Sequence, residues 1–176
     1  LALNPEGSIL ASGSLDGTVI LWDINEKKLL KSSKVTSKGG VNSLAFHPNG
    51  TILAIGGEDG SLQFRDITGM KLQFKFPGHK KAVTAIDFNL KGDIFVSSSE
   101  DGKLIVWDWE ERKKSFEIDF KDPITDVSIN PMRNEIAVAT VSGRLETWSL
   151  SMGTHLHTIN KSEHALISLG YDSHGQ

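Results

Sequence analysis

The amino-acid sequence predicts an all-β protein made of repeated four-stranded antiparallel sheets. Three observations support this prediction. A motif recurs about every 42 residues, apolar and polar side chains alternate over short runs, and tight-turn residues separate those runs. A single sheet of this size leaves much apolar surface exposed to water. Neighbouring sheets are therefore expected to pack on each other.

The repeat is visible in segments that align without a gap. Residues 11–23, 54–66 and 96–108 superimpose along their whole length, and a more divergent copy covers residues 137–149. Self-similarity at a fixed period outweighs any local pattern in predicting a fold. We expect repeats at residues 1–36, 37–77, 78–119 and 120–160, with the start of a fifth at 161–176.

Each repeat is expected to contain four short strands. In the second repeat we place them near residues 41–46, 51–56, 61–66 and 71–75. Turns rich in Gly, Asn, Asp and Pro join these runs, as in Glu58-Asp59-Gly60. No stretch shows a sustained helical period with caps, so no helix longer than one turn is expected.

Composition narrows the classes of function. The 176 residues include 19 Lys and Arg, 22 Asp and Glu, and no Cys, which gives a formal charge of −3. No apolar run approaches the ~20 residues of a membrane span, so membrane insertion is not expected. Without Cys there is no thiolate nucleophile, disulfide or Cys-ligated zinc, and an intracellular location, cytoplasm or nucleus, is favoured.

Trp-Asp at the end of the third strand, as in Trp22-Asp23 and Trp107-Asp108, completes a pattern that resembles the WD-repeat family. The resemblance covers the whole chain and implies a β-propeller, in which each sheet is a blade around a central channel. Four blades would form part of a ring, which in this family is usually seven-bladed. A closed ring of four blades and an eight-bladed ring formed by two copies are the alternatives.

The resemblance also implies a polar network within each blade. In the family, a His before the first strand, a Ser in the second, an Asp in the next turn and a Trp in the third form a hydrogen-bonded chain. Only the third repeat carries all four members: His79, Ser97, Asp101 and Trp107. Each of these polar groups needs a partner once it is buried, so the implied role is structural.

The other repeats depart from this pattern. The first keeps Ser12, Asp16 and Trp22. The second carries Ile55 where the serine is expected and Phe64 in place of the tryptophan. The fourth has Val138 and Ser142 where Ser and Asp are expected, and it keeps Trp148.

A search for catalytic and metal-binding patterns gives no candidate. Ser97 has no nucleophile elbow around it, and no phosphate-binding glycine loop or calcium loop occurs. His155 and His157 share a strand face, but nothing supplies a third metal ligand, so we interpret them as exposed strand residues. We therefore expect no enzymatic activity and no cofactor.

The prediction is a non-catalytic scaffold that binds protein or peptide partners within a larger assembly. RNA binding at the same surface is the alternative, although acidic residues are interleaved with the lysines there. A second alternative is the non-catalytic domain of a larger enzyme. The expected partner surface consists of the loops before the first strands and between the second and third strands, with Leu15, Lys38, Glu58, Lys80, Lys81, Glu100, Asp122 and Val141.

Overall fold

The computed structural model describes residues 1–36 and 38–176, and for Asn160 and Lys161 only the backbone. These residues form sixteen strands and no helix. The strands are β1 Ala2–Leu3, β2 Ile9–Gly13, β3 Thr18–Asp23, β4 Lys28–Lys34, β5 Val41–Phe46, β6 Ile52–Gly57, β7 Leu62–Asp66, β8 Leu72–Phe76, β9 Val83–Phe88, β10 Ile94–Ser99, β11 Lys103–Asp108, β12 Lys113–Asp119, β13 Ile124–Ile129, β14 Glu135–Thr140, β15 Arg144–Ser149 and β16 His155–Lys161.

The strands form four separate sheets of four strands each. The strand orders are β1-β2-β3-β4, β5-β6-β7-β8, β9-β10-β11-β12 and β13-β14-β15-β16, so every strand pairs with its neighbours along the chain. The second and third strands of each sheet, which are joined by a short turn, pair in antiparallel orientation. The predicted all-β architecture is confirmed, and the strands of the second sheet lie within one residue of their expected ranges.

The chain divides into two compact units, residues Leu1–Val83 and Thr84–Gln176. In the first unit, an apolar core that includes Leu21, Leu53 and Ile55 lies between the first two sheets. In the second unit, a core that includes Val106, Ile124 and Val138 joins β9–β12 to β13–β16. Burying these aliphatic side chains between sheets supplies the main favourable term in folding.

Tight turns with Asp-Gly or Ser-Gly join the second and third strands of each sheet. The glycine of the second turn, Gly60, has φ +81°, a conformation in which a side chain is strained. A Cβ at this position would lie 2.3 Å from the carbonyl oxygen of His79. Gly60 is therefore required both by the turn and by the close approach of the loop that contains His79.

Candidate functional site

The polar pair at the centre of the third sheet is fully buried. Trp107 is 2% exposed, and its indole Nε1 donates to the Oγ of Ser97, which is 0% exposed, at 2.9 Å. The Trp107 ring stacks on Phe95, with ring centroids 5.8 Å apart. Phe95 and Trp107 are directly opposite each other in the β10–β11 register. Neighbouring strands therefore fix the indole, and the serine satisfies its N–H.

The other two members of the predicted network lie in different units. Asp101 belongs to the turn between β10 and β11, where its Oδ1 accepts the N–H of Lys103 at 3.0 Å. His79 belongs to the first unit, where its backbone N–H donates to the carbonyl of Gly60 at 2.8 Å. The full network of His79, Ser97, Asp101 and Trp107 stays a prediction.

The first sheet contains the same tryptophan–serine pair in a more exposed setting. Trp22 Nε1 donates to Ser12 Oγ at 2.9 Å, and Trp22 is 37% exposed. Asp16 accepts the N–H of Thr18 at 2.8 Å within the turn. Water can replace the serine here more easily than in the third sheet, because the indole edge is partly accessible.

The second sheet corrects the prediction that Phe64 replaces the tryptophan. Arg65 pairs with Leu53, as Trp107 pairs with Phe95, so Arg65 occupies the tryptophan position. The ungapped repeat already aligned Arg65 with the tryptophans. The guanidinium of Arg65 donates to Oε1 of Gln63, to the carbonyl of Met70 at 2.7 Å and to the carbonyl of Val35 at 3.4 Å. Burial lowers the pKa of Arg65.

The fourth sheet carries a different polar network that the sequence did not indicate. Trp148 Nε1 donates to Oε2 of Glu146 at 3.2 Å, and Arg144 bridges Glu146 and Asp122. Ser142 Oγ donates to Asp122 Oδ2 at 2.5 Å. Burial opposes ionisation of Asp122, but hydrogen bonds from Ser142, Thr140 and Arg144 outweigh it and lower the pKa of the carboxyl.

In all four sheets one cross-strand pair combines an acceptor with a branched aliphatic side chain. The acceptor is on the second strand in the first and third sheets, and on the third strand in the second and fourth sheets. The directly opposite pairs are Ser12 with Ile20, Ser97 with Ile105, Ile55 with Gln63, and Val138 with Glu146. The replacement of serine by Ile55 and Val138 is therefore matched by a polar residue opposite each of them.

In the first unit, the residues expected to bind partners lie in loops at one end of the strands, and these loops form one edge of the sheets. Glu58 Oε2 accepts the N–H of Gly40 at 2.8 Å, which holds the loop of Lys38 against the turn of Glu58. A Cβ on Gly40 would lie 2.7 Å from the Cα of Leu15. The turn that contains Leu15 therefore packs on the other side of the loop of Lys38. Gly60 contacts the backbone of residues 79–81 in the same way, which places Lys80 and Lys81 next to the turn of Glu58.

In the second unit, Glu100, Asp122 and Val141 occupy the equivalent edge. The backbone of Asp122 lies over Gly102, two residues after Glu100, and the N–H of Val141 donates to the carbonyl of Pro123 at 3.0 Å. Glu100 and Val141 are exposed. Asp122 is half-buried and its carboxylate already accepts from Ser142 and Arg144, so its first role is within the molecule.

Two carboxylates, on the first strands of the third and fourth sheets, form contacts that sequence reasoning missed. Asp87 Oδ2 accepts the N–H of Ile129 at 2.8 Å, and Asp126 Oδ2 accepts the N–H of Leu169 at 2.9 Å. Each carboxylate also accepts a hydroxyl, from Ser128 or from Ser168. An acidic residue inside a short apolar strand, about one repeat before a serine, is the sequence signal that could have revealed them.

Burial is the largest influence on the pKa of Asp87. Burial raises the pKa of this carboxyl, the hydrogen bonds from Ile129 and Ser128 act in the opposite direction, and the negative charge of Asp126 raises it further.

Within residues 1–36 and 38–176, no three His, Cys, Asp or Glu side chains are grouped as metal ligands. The same residues contain no helix with the length and apolar character that a membrane span requires.

Residues 1–91, just over half of the chain, match the family model described as the anaphase-promoting complex subunit 4 WD40 domain. The chain belongs to the WD-repeat family. Its four sheets are therefore blades of a β-propeller, as the Trp-Asp pattern implied.

Three curated relatives show how far the similarity extends. The target of rapamycin complex subunit wat1 of Schizosaccharomyces pombe is 34% identical over 93 residues, which is 53% of this chain and 30% of that protein. The pre-mRNA-splicing factor cwf17 of the same organism is 25% identical over 94% of this chain and 49% of that protein. ROOT INITIATION DEFECTIVE 3 of Arabidopsis thaliana is 30% identical over 90% of this chain and 30% of that protein. The chain thus spans less than half the length of each relative.

Proposed function

We propose that this WD-repeat chain is a non-catalytic scaffold that binds protein or peptide partners within a larger assembly in the cytoplasm or nucleus. The observation that carries the proposal is the edge of the first unit. There the turn of Glu58 is held between the loop of Lys38 and the loop of Lys80 and Lys81. These loops are fixed by short contacts and display charges of both signs beside the exposed side chain of Leu15.

This chemistry suits a patterned polypeptide better than a uniformly anionic backbone. Glu58 and Glu100 are exposed on the two edges, where they would repel phosphates. A mixture of charges and a large apolar side chain gives orientation and specificity to a protein contact. The relatives support the same class of function, since one is named as a subunit of the target of rapamycin complex.

The test is partner capture from cell extract with the natural protein and a double charge reversal, Lys80→Glu with Lys81→Glu. We expect partner recovery to fall at least tenfold, mainly through slower association at low salt. The matched control is Lys28→Glu with Lys31→Glu, which makes the same charge change on exposed positions of β4. The control should retain the partners.

Two outcomes would overturn the proposal. Equal recovery by the Lys80/Lys81 variant and the parent would remove this edge from partner binding. Loss of all capture after nuclease treatment would show that RNA, rather than protein, is what the surface binds.

A further inference from the structure

Two adjoining clefts open in the second unit, at the strand ends opposite Glu100 and Val141. The larger, about 500 Å³, lies between the β9–β10 loop, residues 89–93, and the β13–β14 loop, residues 130–134. The smaller, about 290 Å³, extends toward residues 171–173. Leu90 and Pro131 line both clefts, so together they form one continuous groove.

Side-chain amides hold the two loops in place. Asn89 Oδ1 accepts the N–H groups of Gly92 and Ile94 at 3.0 and 3.1 Å. Asn130 Oδ1 accepts those of Met132 and Arg133 at 2.9 and 3.0 Å. A ligand would therefore meet loops that are already ordered, which lowers the entropic cost of binding.

The larger cleft combines an apolar floor with a basic rim. Ile129 and Leu150 are buried beneath it, whereas Leu90 and Met132 at the rim are 69% and 67% exposed. Large exposed apolar side chains that cluster around a cleft are typical of interaction sites.

Each exposed apolar residue is followed directly by a cation, Lys91 or Arg133. Among the described residues, neither cation has a carboxylate within ion-pair distance. Asp93 is the one acidic residue that lines this cleft, and its Oδ1 accepts the side-chain amide of Asn89 at 2.6 Å. The rim thus presents two available positive charges beside two apolar side chains.

The corresponding loops of the first unit lack this chemistry. After Asn4 the chain continues with Pro5-Glu6, and after His47 with Pro48-Asn49. Of these four loops, only the two that line the larger cleft carry an apolar–basic pair.

We propose that the larger cleft is a second peptide-binding site, which takes a short partner segment with a bulky apolar side chain flanked by acidic residues. The apolar side chain would lie between Leu90 and Met132 over Ile129 and Leu150, and the carboxylates would pair with Lys91 and Arg133. The exposed carboxylate of Asp172 in the smaller cleft disfavours an acidic residue there and so gives the peptide a direction. This site is independent of the edge that contains Lys80 and Lys81.

The test is selection of random dodecapeptides, displayed on phage, on the immobilised natural protein. We expect the selected peptides to share a bulky apolar residue next to Asp or Glu. Lys91→Glu with Arg133→Glu should weaken their binding at least tenfold, and Leu90→Ala with Met132→Ala should weaken it several-fold. The matched control, Lys28→Glu with Lys31→Glu, makes the same charge change on exposed positions of β4 and should leave the affinity unchanged.

Each other outcome overturns the site. Selection that enriches no peptide, or peptides whose affinity survives the Lys91/Arg133 reversal, would do so directly. Acidic peptides that lose affinity on charge reversal but not with Leu90→Ala and Met132→Ala would show charge attraction alone. The affinities are compared for variants whose melting temperature equals that of the parent. Substitutions at these exposed positions should not affect folding.

Discussion

Glu146 lies directly opposite Val138 across the β14–β15 pair, and its carboxylate accepts the indole N–H of Trp148 at 3.2 Å. In the third blade Ser97 and Ile105 occupy the same two positions with the polar and aliphatic side chains exchanged. A buried N–H left without an acceptor costs about 1–3 kcal/mol. The blades therefore retain an acceptor for the residue at the tryptophan position, although the strand that supplies it changes.

This exchange predicts that the two positions of the fourth blade are energetically coupled. Glu146→Ile should lower the free energy of unfolding by about 1–3 kcal/mol, because Trp148 and Arg144 both lose an acceptor. Adding Val138→Ser supplies a hydroxyl opposite and should recover part of that loss. A double-mutant cycle by urea unfolding should give a favourable coupling of about 1 kcal/mol.

The matched control is Glu146→Gln, which keeps an acceptor and reproduces the Gln63 of the second blade. It should unfold close to the parent. Additive effects of Glu146→Ile and Val138→Ser would mean that the serine does not take over the role of the carboxylate.

Ser97→Ala and Ser12→Ala should lower the free energy of unfolding by different amounts, although each removes a tryptophan–serine hydrogen bond. The indole of Trp107 is 2% exposed and has no route to water, so Ser97→Ala should cost about 1–3 kcal/mol. Trp22 is 37% exposed and can bond to water, so Ser12→Ala should cost about 0.5 kcal/mol or less. Thermal unfolding of both variants measures the difference, and equal costs would show that burial does not decide it.

Asp101→Ala tests whether the predicted network of the third blade extends beyond its turn. If Asp101 joins Ser97 and His79, its removal should cost about 1–3 kcal/mol. Asp16→Ala removes the same turn contact in the first blade, where Asp16 accepts the N–H of Thr18. We expect the Asp16 variant to lose clearly less stability in urea unfolding. Similar losses of stability in the two variants would mean that Asp101 acts only within its turn.

Asp87 should give the protein a specific pH dependence. Because burial raises its pKa above the ordinary 3.8, the folded state holds this proton more tightly than the unfolded chain does. Its contribution to the free energy of unfolding is therefore fully present below pH 3.8 and is lost as the pH rises through the folded pKa. Asp87→Asn, which keeps an oxygen for the Ile129 N–H, should remove this dependence.

Urea unfolding of the parent and the Asp87→Asn variant, at closely spaced pH values from 3.8 upward, measures this effect. Carbon NMR titration of the parent carboxyl gives the pKa directly. A folded pKa at or below 3.8, or the same pH slope in both proteins, would contradict the expectation.

Local sequence signals and their repetition were sufficient to predict the strands, the turns and the family. The alternation in residues 41–46 and the Asp-Gly at the turn of Gly60 are local signals, because a strand has a period of two and a tight turn needs glycine where φ is positive. Repetition of these signals along the chain made the blade predictable. The proximity of Lys80 to the turn of Glu58 was also predictable, since the loops at one end of antiparallel strands recur at fixed positions in each repeat, whereas the role of these residues in partner binding stays a prediction.

Which side chains meet depends on the tertiary fold. The pairing of Glu146 with Trp148, and of Asp87 with Ile129, depends on strand register and on packing between sheets. The same holds for the groove beside Leu90 and Met132, whose two loops are about one repeat apart in the chain. Local patterns specify backbone conformation, whereas the acceptor that a buried N–H finds is set by distant residues that folding brings within hydrogen-bond distance.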